Sequence, residues 1–276
     1  MFVENESESV PLRDASTVVL VRDSNDGIEV FLQRRVQQMA FAGGMTVFPG
    51  GGVDARDRDA EISWAGPDVT WWAEQFAADV ESARALVCAA VRETFEECGV
   101  LLAGTEDSVY DDPASLADER DRLVSKDLSF AEFLTKHDLV LRTDLLAPLS
   151  HWITPKNERR RYDTRFFLAE LPAGQTADGE TTEAESTGWQ TAEQALRDWD
   201  NGKHFLLPPT WSQLRTIAGF STVAALMGAK HVIEPIEPRI ADPTGIHGLQ
   251  FADSGEYLKS LGDGRMDQLK NTNAPS

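Results

Sequence analysis

Glu93, Glu96 and Glu97 lie within Arg92-Glu93-Thr94-Phe95-Glu96-Glu97-Cys98-Gly99-Val100. They stand at i, i+3 and i+4, so a helix turns all three carboxylates to one face. A like-charged pair at i, i+4 costs about 0.2–0.5 kcal/mol on an isolated helix. Lys or Arg at one of these positions would serve the helix better. Clustered carboxylate oxygens suit a hard divalent cation, Mg²⁺ or Mn²⁺. The competing explanation is a solvated acidic face. Upstream, Phe48-Pro49-Gly50-Gly51-Gly52 lets backbone carbonyls and amides approach a ligand or metal closely.

The elements that must position these groups follow from local patterns. Val80–Cys98 predicts one long helix, ended by Gly99 in the left-handed conformation, with Ala85, Ala89 and Ala90 allowing close packing on a sheet. Ser16–Val21 and Ile28–Leu32 predict strands, joined by the turn chemistry of Asp23-Ser24-Asn25-Asp26-Gly27. Thr46-Val47-Phe48 predicts a short strand running into the glycines. Leu145–Ile153, Tyr162–Leu171 and Glu183–Trp189 predict three more. Phe130, Phe133 and Leu134 have helical spacing. Thr191 with Gln194 predicts a capping box for a helix through Trp199. Pro208 and Pro209 predict a rigid entry to a helix reaching about Met227. The tail from His231, with Pro235, Pro238 and Pro243, reads as extended. Residues 53–79 are charged at first and then aromatic, and Trp71 and Trp72 are expected to pack this segment down or to face a ligand.

The chain has 276 residues, 41% of them hydrophobic, and a formal net charge of −20. That is enough for a sizeable core, and the charge disfavours a nucleic-acid backbone as partner. No apolar run approaches the length of a membrane span. The first residues lack the basic and apolar regions of a signal peptide, so the expected location is cytoplasmic. Cys88 and Cys98, ten residues apart on one predicted helix, lie about 15 Å apart, too far for a disulfide. The five histidines have no zinc-ligand spacing. A phosphate-bearing small molecule needs local cations, and two groups offer them. Arg34 and Arg35 follow a strand. Lys156, Arg159, Arg160 and Arg161 occupy a loop, with Arg165 beyond. A solvated strand end or hairpin end explains either group equally well.

The order Arg-Glu-x-x-Glu-Glu-x-Gly-apolar, behind a strand ending in Phe-Pro-Gly-Gly, resembles the Nudix box of the Nudix hydrolases. Two departures stand out. Residues 53–79 interrupt the loop between Gly51 and Arg92, and Arg84 occupies the place of the first box glutamate, with Glu81 the nearest substitute. A Trp-bearing insertion at this point, Arg34-Arg35 before it and Leu207-Pro208-Pro209-Thr210 after it resemble a long-insert subgroup. That subgroup contains the peroxisomal acyl-coenzyme A diphosphatases. The likeness runs from about Ser16 to Gly228.

The resemblance implies an α/β fold, an α/β/α sandwich around a mixed sheet, with a helical insertion and a C-terminal helical extension. It implies an acidic segment at 1–15, a hydrolase domain at 16–228 and a tail at 229–276. It implies metal ligation by Glu93, Glu96, Glu97 and a carbonyl of Gly50 or Gly51, with Arg92 orienting the glutamates and Glu93 a candidate base. Glu183 and Glu185, before Trp189, become candidates for a further ligand or the base. Arg34, Arg35, Gly50, Arg159, Arg161 and Arg165 become candidate substrate contacts. The implied reaction is hydrolysis of a nucleoside-diphosphate-linked compound. The leading substrate is coenzyme A or acyl-coenzyme A, giving adenosine 3′,5′-bisphosphate and (acyl-)4′-phosphopantetheine. ADP-ribose, a dinucleotide or a nucleotide sugar is the alternative substrate. A ligand sensor without turnover is the alternative of another class, and a homo-oligomer is compatible with all of these.

Overall fold

The computed structural model describes residues 10–39, 42–58, 62–156, 158–240 and 248–261. Most of the acidic N-terminal segment, part of the Met- and Gly-containing loop after Arg35 and the end of the tail lie outside the described residues. The chain opens with β1 (Leu12–Ser24) and β2 (Gly27–Arg35), then β3 (Thr46–Val47) and β4 (Gly50–Gly52). The interrupting segment contributes α1 (Ala55–Arg58), β5 (Trp64–Ala65) and α2 (Val69–Phe76) before the long helix α3 (Val80–Cys98). Next come β6 (Ala103–Gly104), α4 (Ala117–Val124), α5 (Phe130–Lys136) and β7 (Val140–Arg142). Then follow β8 (Leu146–Ile153), β9 (Arg161–Glu170), β10 (Ala184–Thr191), α6 (Ala192–Asp200), α7 (Pro208–Ala218), α8 (Val223–Met227) and β11 (Pro235–Ile236).

The main sheet runs β10-β2-β1-β9-β8-β11, with β3 on β2 and β4 on β1. It is mixed, because β1 and β9 pair in parallel and β11 joins β8 in parallel while the other pairs are antiparallel. Successive strand residues point to opposite faces. Val18, Leu20, Phe31 and Phe167 therefore meet α2 and α3 on one side. Val19, Val21, Val30, Leu32, Phe166 and Leu168 meet α6 and α7 on the other. This is the expected α/β sandwich with a mixed sheet. No helix among the described residues is long and apolar enough to cross a membrane.

Both ends of α3 fall where the sequence predicts them. The side chain of Asp79 caps its first turn by accepting from Ser82 N–H at 2.8 Å, and Gly99 closes it at φ 70° with its N–H bonded to Phe95 C=O. Ser16 Oγ donates to Leu86 C=O at 2.7 Å and ties the helix to β1.

Several expectations change. β1 starts at Leu12, so the unit boundary drawn at Ser16 falls inside a strand. Trp72 is fully buried against Phe76 and Phe167, whereas Trp71 meets it edge-on and stays 36% exposed, so only one of the pair packs the insertion down. The insertion is not only helical, since β5 pairs with β7. Thr191 Oγ1 accepts from Gln194 N–H, but the Gln194 side chain turns to Asp198 and Arg197, so the cap is one-sided. The helix after Pro208 breaks between Ala218 and Val223. The tail is extended only in part. Residues 254–261 are helical, and Tyr257 stacks on Trp199 with ring centroids 5.3 Å apart and donates to Leu206 C=O. Both cysteines are buried and free, as their spacing requires.

Candidate active site

The glycine strand and the last turns of α3 face each other. β4 lies antiparallel to β1, with Gly50, Gly51 and Gly52 opposite Thr17, Ser16 and Ala15. Gly50 has φ 156°, and a Cβ there would collide with the backbone of Ser16 and Thr17. A Cβ on Gly51 would sit 2.6 Å from the Glu93 carboxylate. Both positions therefore require glycine, the first for the backbone and the second for the carboxylate.

Arg92 is the hub. All five of its N–H donors are engaged, which suits a rigid planar guanidinium. Nε donates to Asp57 Oδ1 at 3.1 Å, and Nη2 donates to Asp57 Oδ2 at 2.9 Å and to Gly52 C=O at 3.0 Å. Nη1 donates to Glu93 Oε1 at 2.7 Å and to Glu96 Oε2 at 3.2 Å. Glu97 is held from the other side. Its Oε2 accepts from Gly50 N–H and from Gln33 Nε2, each at 2.8 Å.

Three carboxylates thus meet one guanidinium in a largely buried place, with a fourth, Glu97, held beside them. Burial pushes the Glu97 carboxyl far above its ordinary value, Glu93 adds to the shift, and the Gly50 N–H opposes it. Burial likewise raises Glu93, with Arg92 opposing and Glu96 adding, and raises Glu96 against Arg92. Burial pulls the Arg92 guanidinium down, but Glu93, Asp57 and Glu96 together outweigh it and keep it charged.

Hard oxygen donors in excess of local positive charge fit a divalent cation. Among the described residues, no three His, Cys, Asp or Glu side chains already converge as a closed metal cage. The glutamates are pre-positioned by Arg92, Gln33 and Gly50 instead.

The other candidates separate into near and far. Arg34 and Arg35 follow Gln33 on β2 and border the cluster. Arg35 pairs with Glu183 at 3.0 Å, and Arg34 is 3.7 Å from Glu185. Glu185 sits where the β10–β2 register shifts between Ala184 and Ser186, is exposed and faces Arg34. Glu183 acts on Glu97 through its charge. The basic loop does not form a free cationic patch. Arg161 is buried and pairs with Glu237 at 2.6 Å, and Arg165 is buried against Asp163, which also bonds His151. Lys156, Arg159 and Arg160 are exposed at the hairpin end. Glu81 is exposed in the first turn of α3, so it is no substitute for the outer box glutamate.

Two residues of the site escaped the sequence. Asp57 read as one charge in a charged run, yet it is 2% exposed. The available signal was Arg84 at the place of the outer glutamate, which leaves one edge of Arg92 without a carboxylate from α3. Gln33 read as the end of a strand. A polar residue two after Phe31, on the face that packs against α3, was its signal.

The profile of the NUDT19 Nudix domain matches residues 70–217. The chain belongs to the Nudix family. A solved structure similar to it, a NUDIX hydrolase from Alicyclobacillus acidocaldarius, is 27% identical with a TM-score of 0.71, covering 81% of this chain and 98% of the other. The acyl-coenzyme A diphosphatase NUDT19 of Xenopus laevis is 24% identical over 241 residues, and the Homo sapiens protein of the same name is 26% identical over 239. These alignments cover 74% and 73% of this chain and 63% of either relative, so the Nudix chain spans under two thirds of their length.

Proposed function

We propose that this Nudix protein is a metal-dependent diphosphatase acting on a nucleoside-diphosphate-linked substrate, with coenzyme A or an acyl-coenzyme A as the leading compound. The observation that carries the reading is the pairing of Glu93 and Glu96 on Arg92 with Glu97 clamped by Gln33 and Gly50. Glu93, Glu96, Glu97 and a carbonyl of Gly50 or Gly51 would hold Mg²⁺ or Mn²⁺. A bound divalent ion there neutralises phosphate charge and lowers the pKa of an attacking water.

The residues supply the remaining work. Water adds to one phosphorus, the P–O–P bridge breaks, and the bridging oxygen leaves on the other phosphate, so that two phosphate monoesters are released. Glu93, whose burial keeps its proton affinity high, is the candidate to take the water proton. Arg92 fixes the direction of Glu93 and Glu96. Arg34 and Arg35 are placed to meet substrate phosphate once they release Glu185 and Glu183.

Support for the coenzyme A class comes from the two curated relatives, both named acyl-coenzyme A diphosphatase. One observation favours ADP-ribose or another substrate without a 3′-phosphate: Arg161 and Arg165 are already spent on Glu237 and Asp163. Turnover of coenzyme A, 3′-dephospho-coenzyme A and ADP-ribose with Mg²⁺ and with Mn²⁺ tests the reading. Release of adenosine 3′,5′-bisphosphate from coenzyme A supports it. Absence of hydrolysis on every diphosphate would favour the ligand sensor.

A further inference from the structure

We infer that Asp57, on the four-residue helix that opens the insertion, is the positioning residue of the glutamate cluster and acts through Arg92. The inference rests on the reading of Glu93, Glu96 and Glu97 as cation ligands.

A guanidinium is a planar fork, so fixing one edge fixes the direction of the other. Asp57 takes the Nε–Nη2 edge of Arg92 in a two-bond pair, which aims Nη1 at Glu93 and Glu96. Asp57 is itself fixed. Its Oδ2 accepts from Asp54 N–H at 2.8 Å while its own N–H donates to Asp54 C=O at 3.0 Å, and Cys88 Sγ lies 3.5 Å from Oδ1. Asp54 is held in turn by Arg56.

The charge balance gives this arrangement its consequence. With Asp57 opposite it, the positive charge of Arg92 is already matched, so Glu93 and Glu96 keep surplus negative charge for a cation. Without Asp57, the freed edge of Arg92 would turn to pair one glutamate with both nitrogens, drawing that carboxylate away from metal ligation. No residue of α3 can take over. Arg84, at the place of the outer box glutamate, instead lies over the ring of Trp64 at 5.4 Å. The insertion therefore supplies the carboxylate that the helix lacks.

The test is Mn²⁺ binding to the full chain, read from the electron paramagnetic resonance signal of free Mn²⁺, for wild type, Asp57→Asn, Arg92→Gln and the double variant. Circular dichroism reports folding in parallel. The expected result is a fall in Mn²⁺ affinity of about tenfold or more for Asp57→Asn in a folded protein, the scale of outer-shell partners of metal ligands. Because Asp57 acts through Arg92, Asp57→Asn should change affinity less than about twofold in the Arg92→Gln background. Wild-type affinity in Asp57→Asn overturns the inference, as do fully additive losses in the double variant. Should Asp57→Asn not fold, Asp57→Glu keeps the buried charge but shifts its oxygens by one methylene. Weaker Mn²⁺ binding is expected there, and unchanged binding overturns the inference. Glu97→Gln, measured alongside, separates the two levels. Loss of affinity in Glu97→Gln with none in Asp57→Asn defeats the role of Asp57 alone. Retained affinity in Glu97→Gln defeats the metal reading beneath it.

Discussion

At the scale of single residues, the glutamate cluster places charge where burial disfavours it. Glu97 has an ordinary carboxyl value of 4.5 that burial raises to about 8 in the folded state. A folded-state value above the unfolded one means that the native state binds the extra proton between those limits. Stability therefore falls as pH rises through that window. The stabilisation is present below pH 4.5, and it is lost as pH passes about 8. Thermal unfolding in chelator should show a melting temperature that drops across this range more steeply in wild type than in Glu97→Gln. Adding Mn²⁺ should restore wild type most at the alkaline end. A parallel pH dependence for the two proteins would remove Glu97 from the account. Glu97→Gln should also lower turnover at saturating metal by more than about a hundredfold, since even outer-shell partners of a ligand are worth 10–100-fold. Near-normal rates would show that Glu97 is not an essential ligand.

At the scale of elements, neighbouring glycines serve different ends. Gly50→Ala would drive a methyl into the backbone of β1 at a φ that side chains avoid, so it should cost about 1–3 kcal/mol of stability. Gly51→Ala meets only the end of the Glu93 side chain, so it should reduce metal affinity and rate while melting close to wild type. Denaturant unfolding beside Mn²⁺ titration distinguishes the two, and equal stability losses would refute the division. The insertion is likewise part of the fold. Trp72 and Phe76 of α2 are buried against Phe167 of β9, so excising residues 59–78 would open the core rather than trim an appendage. Trp72→Ala should cost about 3–5 kcal/mol. Trp71→Ala should cost less, about 0.5–1.5 kcal/mol, the scale of its edge-on contact with Trp72. Similar losses for both would contradict the packing seen here.

At the scale of the whole molecule, a net charge of −20 must be overcome locally before a polyanionic substrate can bind. Three groups of cations face that task unequally: Arg34 with Arg35 at the cluster, Arg159 with Arg160 at an exposed hairpin end, and Arg161 with Arg165 in buried ion pairs. If Arg159 and Arg160 meet the 3′-phosphate, coenzyme A should exceed its 3′-dephospho form in kcat/KM by about ten- to a hundredfold, the worth of a charge-assisted contact. Replacing both by Ser should shrink that ratio at moderate salt, where screening is incomplete. Arg161→Ser should act on stability instead, because it leaves Glu237 without its buried partner. Equal rates on the two compounds would defeat the 3′-phosphate contact, and faster ADP-ribose hydrolysis would promote the alternative substrate.

The residue pattern by itself determined the local features of the site. The i, i+3, i+4 spacing of Glu93, Glu96 and Glu97, the extent of α3 from Val80 to its stop at Gly99 and the alternation of the central strands are short-range, and short-range patterns are written in consecutive residues. Only the tertiary structure decided who the partners are. Asp57 and Arg92 are 35 positions apart, and Gln33 and Glu97 are 64 apart. No periodicity connects residues so distant, so a buried aspartate and a solvated one look alike in a charged run. For the same reason Arg161 read as a free cation until Glu237, 76 positions away, was seen beside it. A charge in a sequence has a sign but no neighbour, and in this site the neighbours decide whether the charge binds a ligand or holds the fold.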